Sequence, residues 1–540
     1  MAVIEHRVGS VSDFSDGQLK EVEFGSQDTK VLLSKVGGKL YATSPRCTHY
    51  GAPLAKGVLT SDGRISCFNV KTGDIEDAPA LDNLQKYEVE IRGNDVYVKA
   101  DEEGNTAVKQ GRRKPVCARK ATPAHPDNVL IVGGGASGAC AAQHMRELGY
   151  EGKITVVSAE PYLPIDRIKL SKSANIGEPS KIQLRDAAFW KELDVEFHLA
   201  TAVKSVDAQA KTVQLSNGSQ LSYGALLLAT GGSPKRIPIP GADLGNVFTL
   251  RHVTDNNNIF GIISARENEP KPKVVIIGSS FIGMEVAATI KQSLGNSVTV
   301  IGMESVPFER VLGKEVGGRM QSMHEEKGVK FYMNASVDSI QPKADNPKMP
   351  GSVKLKNSTS IEADVVIFGT GIAPATAFLK DSKGFQLLED GSLAVDDGFK
   401  VEGVENVWAV GDIASWPFHY TNERARIEHW NLAENTGRNA ASSILGVKVP
   451  FDKTPFFWTA QFGKNLRYTG YASSFDEVHI QGSLQDMNYA AFYIRDNKCV
   501  AVATMNKDPL ATHVSELIRM TKMPSVQDIK AGLDLLTIKP

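Results

Sequence analysis

"NVLIVGGGASGACAAQHMRELGY", residues 128–150, decides the fold of most of this chain. Val129, Leu130, Ile131 and Val132 form an unbroken apolar run of strand length, as in a strand buried on both faces of a parallel sheet. Gly133-Gly134-Gly135-Ala136-Ser137-Gly138 follows and matches G-x-G-x-x-G ahead of a helical stretch. In such a turn the first glycine permits the tight bend, the second lets backbone approach a pyrophosphate, and the third lets helix pack on strand. The helix N-terminus then offers unpaired N–H groups and a partial positive charge to phosphate. After the next strand, "KITVVSAE", Glu160 stands twenty-two residues beyond Gly138, a spacing suited to a ribose hydroxyl.

A similar unit returns 145 residues later in "PKVVIIGSSFIGMEVAATIKQSLG". Gly278 and Gly283 keep the outer positions, but Ser280 stands at the middle one and adds a Cβ where a pyrophosphate approaches. The following strand, "SVTVIGMES", ends at Gly302, and its first acid is Glu304. No Lys or Arg directly follows that strand to meet a 2′-phosphate, which favours NADH over NADPH. A degenerate copy that binds no nucleotide remains an open alternative for this second unit.

The bulk properties exclude several classes. At 540 residues the chain is too long for one core, and three or four domains are expected. With 23% charged residues and a net charge of −1, nothing electrostatic calls for nucleic acid or a membrane surface as partner. No apolar run reaches the roughly 18–20 residues that cross a bilayer. The opening "MAVIEHRVGS" resembles neither a signal peptide nor a presequence, and five scattered cysteines make no disulfide framework. A reducing, cytoplasmic setting is expected.

Outside the central region the texture changes. Residues 1–101 are strand-rich, with "VLLSKV", "KYEVEI" and "DVYVKA" alternating between Gly, Asp and Asn turns. Residues 102–126 lose periodicity and read as a linker, with a basic cluster at Arg112, Arg113, Lys114, Arg119 and Lys120. From 451 the pattern is antiparallel again and ends near a helix, as in a small α+β tail domain. Within the first module, "CTHYGAPLAKGVLTSDGRISCFNVKTGDIED" (47–77) places Cys47, His49 and Cys67 as three of the four ligands of a Rieske [2Fe–2S] centre. The second histidine belongs three residues after Cys67, where Val70 stands, and no histidine lies between His49 and His125. Three readings stay open: a working cluster, a strand-rich module without one, and an alternatively spliced or misassembled reading frame.

Further motifs follow in one order: "EPYLPIDRIKLSK", "LLLATGGSPKRIPIPG", "VVIFGTGIAPAT", "VWAVGDIASWP", "IEHWNLAENTGRNAA" and "FFWTAQFGKNLRYTGY". The chain resembles the pyridine nucleotide-disulfide oxidoreductases, in their apoptosis-inducing-factor and ferredoxin-reductase branch, and within it the Rieske-bearing subgroup. In comparison with that subgroup, about six residues carrying the second histidine are missing between Cys67 and Phe68. The resemblance implies a multidomain fold: an all-β Rieske-like module (1–101), two interleaved α/β Rossmann-type dinucleotide-binding domains, and a small α+β C-terminal domain (451–540). The FAD-binding domain is expected in two parts, 127–252 and 381–450, around an NAD(P)-binding domain at 253–380.

By the same resemblance FAD is held by Gly133, Gly135, Ala136, Ser137, Gly138 and Glu160, with Arg167, Lys172 and Val203. Asp412 meets its ribityl or phosphate side, and Trp430 and Trp458 lie near the ring. NAD(P)H is assigned to Gly278, Ser280, Gly283, Glu285, Glu304 and Gly371, and Lys172 and Glu285 pair at the nicotinamide pocket as the catalytic residues. His429 is either a proton donor or a structural histidine. The chain contains no C-x-x-C or C-x₄-C pair, and Cys117, Cys140 and Cys499 stand alone, so thiol–disulfide exchange is not expected. Electrons from NAD(P)H would pass through FAD to an iron–sulfur centre, a redox protein or a quinone. The alternative is a flavin-bound interaction or signalling protein with slow NADH turnover. Family resemblance also makes mitochondria a second location and the tail domain a candidate homodimer surface.

Overall fold

The computed structural model describes residues 3–101, 125–264, 270–380 and 382–540. Nearly all of the expected linker, with its basic cluster, lies outside the described residues. The strand Asn128–Val132 is the centre of a five-stranded parallel sheet. Its order is Val195–His198, Lys153–Val157, Asn128–Val132, Ala225–Leu228, Val407–Ala409. Val129 pairs with Ile154 on one side and Ala225 on the other, and both faces of the strand are covered, which accounts for the unbroken apolar run. Helix Ala136–Glu147 packs against helix Trp430–Ile444. They approach so closely that a Cβ on Gly437 would lie 2.3 Å from the Ser137 carbonyl oxygen.

The second unit builds a second parallel sheet, ordered Val247–Thr249, Val365–Phe368, Val274–Ile277, Val298–Ile301, Val329–Tyr332. Val247–Thr249 pairs with Val365–Phe368, so this fold begins ahead of the boundary expected at 252/253. A strand of three residues bordered by turns carries little periodic signal, and only its partner across the sheet assigns it. Short antiparallel segments Gly232–Pro234 and Ile372–Pro374 join the two nucleotide-binding folds.

The C-terminal domain is a five-stranded antiparallel sheet from Phe456–Gln461 to Lys498–Met505, with helix Leu510–Arg519 packed on it. The N-terminal module is a six-stranded antiparallel sheet with its own core of Phe24, Leu33, Val96 and Val98. A second small core, built from Leu54, Ile65, Phe68 and Val70, lies under its loops. No described helix is long and apolar enough to cross a membrane.

One buried amide anchors the segment that carries Lys172. Asn256, on helix Val253–Ile263, is fully buried. Its side-chain NH₂ donates to the carbonyls of Leu170 (2.8 Å) and Ser173 (2.9 Å), and its oxygen accepts from the Ile176 N–H (3.0 Å). Asn256→Ala orphans all three backbone groups, and each unsatisfied buried group is costly. The substitution is expected to lower stability by about 2 kcal/mol or more. Chemical denaturation followed by far-UV circular dichroism checks this, and an unchanged midpoint would refute it.

Candidate active site

An elongated cavity of about 570 Å³ runs from the Gly133 turn to the junction of the three C-terminal folds. Gly133 has φ +114°, and a Cβ there would lie 2.1 Å from the Ala229 carbonyl oxygen. A Cβ on Gly138 would lie 2.1 Å from the Gly133 carbonyl oxygen, so this glycine lets the helix close on the strand. Gly135 meets no other atom within 4 Å. Its open side faces the cavity at the start of helix Ala136–Glu147, where backbone N–H groups await an anion. Ala136, Ser137 and Val203 line the same end. The cradle therefore fits a dinucleotide pyrophosphate.

Glu160 also lines the cavity, with both oxygens engaged. Oε2 takes a hydrogen bond from Arg167 at 2.8 Å, and His252 Nδ1 lies 2.9 Å from Oε1. Burial pushes its carboxyl up, but His252 and Arg167 outweigh burial and hold it at about 2. Glu160 is thus an ionised acceptor that can take a ribose hydroxyl while fixing Arg167. Asp412 lines the same cavity, 3.7 Å from Arg251. Burial raises its carboxyl, while Arg251, Arg426 and Arg167 pull it back. An acceptor at this place suits the hydroxyl-rich ribityl chain of FAD.

At the far end, Lys172 Nζ and Glu285 Oε2 are 2.7 Å apart. Ser171 Oγ donates to the same oxygen at 2.6 Å, and Thr459 Oγ1 donates to Oε1 at 2.7 Å. Glu285 is only 7% exposed, and these three donors are what make a carboxylate tolerable there. Trp430 and Trp458 line this end beside Phe281 and Phe457, whose ring centroids are 4.8 Å apart. His429 contacts Phe457 edge-on at 4.6 Å, and burial pushes its imidazole down to about 4. At that value the ring is neutral at physiological pH, and its buried Nδ1 finds no hydrogen-bond partner among the described residues.

Every residue assigned to FAD except Gly138 lines this one cavity, and Gly138 packs behind it against the Gly133 carbonyl. Of those assigned to NAD(P)H, Glu285 lines the cavity, and Gly278, Glu304 and Gly371 follow the carboxyl ends of three neighbouring strands of the second sheet. Ligands of open parallel sheets bind at that edge. Gly278 (φ +111°) and Gly283 repeat the close packing of the first turn, and Ser280 is the exposed N-cap of helix Phe281–Ser293. Glu304 lies 3.0 Å from Arg310. Sequence reasoning missed Ser171, Arg251, His252, Phe281, Phe457 and Thr459. Ser171, Phe281, Phe457 and Thr459 adjoin motif residues and were within reach of it, whereas Arg251 and His252 lie outside every quoted motif.

The candidate metal residues are placed differently. The His49 ring stacks on Tyr50 at 3.6 Å and stands edge-on to Trp458 at 5.8 Å. The Cys67 thiol donates to the Ala78 carbonyl at 3.3 Å, and burial pushes the thiols of both Cys67 and Cys47 up. Val70, three residues after Cys67, is fully buried among Leu54, Ile65 and Phe68 and offers no ligand atom. Among the described residues no three His, Cys, Asp or Glu side chains converge as a metal set. Cys47, His49 and Cys67 do not fit a two-Cys, two-His cluster.

Gly133→Ala would force a methyl group into the Ala229 carbonyl and displace the cradle. Protein purified with this substitution is expected to hold less than about a tenth of the wild-type flavin, a loss of roughly 1.4 kcal/mol or more in binding. Absorbance per chain measures this, with circular dichroism confirming the fold. Full retention of flavin would sink the assignment.

Comparison with known proteins agrees with this geometry. Residues 127–437 match the pyridine nucleotide-disulphide oxidoreductase family, residues 5–88 the Rieske [2Fe-2S] domain, and residues 456–532 the reductase C-terminal domain. Apoptosis-inducing factor 3 of Homo sapiens is 39% identical over 526 residues, covering 95% of this chain and 84% of that one. The ferredoxin reductase subunit of 5,5'-dehydrodivanillate O-demethylase from Sphingobium sp. is 31% identical, covering 70% of this chain and 90% of that one. Among solved structures, a covalent putidaredoxin reductase–putidaredoxin complex aligns with TM-score 0.67 and 28% identity, over 73% of this chain and 93% of that one. A ferredoxin reductase from Rhodopseudomonas palustris aligns with TM-score 0.71 and 25% identity, over 77% of this chain and 100% of that one. The chain belongs to the pyridine nucleotide-disulphide oxidoreductase family, as an FAD- and NAD(P)H-dependent oxidoreductase with a Rieske-type N-terminal domain.

Proposed function

We propose that this chain takes hydride from NADH at the Lys172–Glu285 end of the cavity and delivers the electrons to a separate acceptor, a redox protein or a quinone. The observation that carries this reading is the placement of that ion pair. It lies where the cavity starting at the Gly133 cradle meets the helix that starts at the second glycine turn. FAD, when bound, supplies the two-electron to one-electron conversion that amino-acid side chains lack. The protein's own contribution is to hold and orient. Glu160 and Asp412 fix the nucleotide and ribityl portions, Phe281 and Phe457 exclude water from the ring end, and Lys172 offers a fixed positive charge there. Glu285 keeps the Lys172 ammonium in place, and Ser171 and Thr459 keep Glu285 in place. The four described cysteines are free thiols, which fits the reducing cytoplasm as the working location.

Lys172→Ala is expected to slow bleaching of the flavin that remains bound by roughly tenfold or more, since it removes a charge placed at the reacting end. Anaerobic stopped-flow absorbance measures this. A wild-type protein whose flavin bleaches only slowly and then persists as a long-lived reduced complex would favour the signalling alternative. Coenzyme choice provides a second check. The Glu304 carboxylate would face the 2′-phosphate of NADPH, and like charges at that range cost about 1 kcal/mol or more. NADH is expected to exceed NADPH in kcat/KM about tenfold, and Glu304→Ala to narrow the gap. Equal use of both coenzymes by the wild type would contradict it.

A further inference from the structure

The loops of the N-terminal module that carry Cys47, His49 and Cys67 are seated on the outer side of the cavity's ring-end wall. Tyr50 donates its hydroxyl to Asp166 Oδ2 at 2.8 Å, and His49 meets the edge of Trp458. The Ala78 N–H donates to Asn435 Oδ1 at 2.9 Å, and Asn431 Nδ2 donates to the Ala78 carbonyl at 2.9 Å and to Asp77 Oδ1 at 3.2 Å. Behind these contacts Arg64, 4% exposed, pairs with both Asp77 and Glu516 of the tail domain. Such buried, partnered charges hold one register, because removing any member strands another. Trp458 and Asn431 line the cavity on their inner side, yet no lining residue comes from the module. The module therefore covers the wall from outside without filling the cavity, whose other rim carries the exposed Ile282 beside the second glycine turn.

We propose that this module is a fixed, cluster-free cap that reserves the flavin for small acceptors. The proposal rests on the hydride-transfer reading above and names its acceptor class. A protein acceptor must bring its own redox centre up to the outer side of the wall at Trp458 and Asn431, and the module occupies that face. A quinone-sized molecule needs only the mouth that nicotinamide uses, after NAD⁺ has left. The stoichiometry is NADH + quinone + H⁺ → NAD⁺ + hydroquinone, with two electrons passed and one proton taken from solvent. The module itself accepts none, because no second histidine follows Cys67 in it and no metal-binding set converges among the described residues.

The test uses the flavin-loaded full chain, with menadione as the small acceptor and a plant-type [2Fe–2S] ferredoxin as the protein acceptor. Binding is read by surface plasmon resonance on immobilised ferredoxin and needs no turnover. Wild type is expected to reduce menadione, to show no ferredoxin binding, and to contain far fewer than the about two iron atoms per chain of a cluster. The pair Tyr50→Phe with Asp77→Ala loosens the cap and is expected to raise ferredoxin binding and reduction at least about tenfold, with menadione turnover within about twofold. Asn435→Ala, on the other side of the contact, should act the same way should the first variant misfold. Wild-type ferredoxin binding, no gain in either folded variant, or two irons with a Rieske-type EPR signal would overturn the cap. Failure of NADH to bleach the flavin would instead sink the hydride reading, and ferredoxin binding would still judge the cap.

Discussion

The Glu285 carboxylate and its three donors are the constraint on which the working geometry depends. A carboxylate so deeply buried must be neutralised and hydrogen-bonded, or its desolvation would cost several kcal/mol. The partners come from separate folds: Lys172 and Ser171 from the first nucleotide-binding fold, and Thr459 from the C-terminal sheet. Glu285 itself sits on the first turns of a helix in the second nucleotide-binding fold. One anion thus links three domains at the point where, in the function proposed above, two redox cofactors meet. Hydride transfer tolerates little error in distance, so an electrostatic anchor at the meeting point sets it more directly than distant packing could. Asn256 supports the arrangement from behind by holding the backbone on both sides of Lys172.

Much of this was legible in the sequence where physics is local. The Gly133 and Gly278 turns announce themselves because only glycine takes those backbone angles and leaves room for the neighbouring carbonyl. The parallel strands announce themselves because burial on both faces demands unbroken apolar runs. The Lys172–Glu285 pair is 113 residues apart and came only from resemblance, since no local pattern links them. Arg251 and His252 carried no signal at all, because isolated polar residues gain meaning only when folding sets them beside a charge. The strand Val247–Thr249 shows the same limit for secondary structure: its identity comes from its partner across the sheet.

The N-terminal module separates a fold from the chemistry usually placed on it. Its six-stranded sheet and first core contain none of the metal ligands, while Cys47 and Cys67 pack as apolar side chains against the second. Where the fourth ligand is expected, Val70 strengthens the core beneath the loops, and His49 is drawn towards an aromatic contact with the neighbouring domain. The polar edge of the module is matched to its seat by Asp77, Asn431, Asn435 and Arg64. A domain can lose the residues for one task and keep the surface that served it.

The strand Val407–Ala409 closes the first parallel sheet at its edge, although its neighbour Ala225–Leu228 lies about 180 residues earlier in the chain. On a ribosome the intervening fold is complete in sequence before that strand emerges, so it is free to form first. The cradle at Gly133 must wait with one edge open until the return strand, Asp412 and helix Trp430–Ile444 have all been made. A newly synthesised chain consequently has no closed seat for flavin until helix Trp430–Ile444 has left the ribosome.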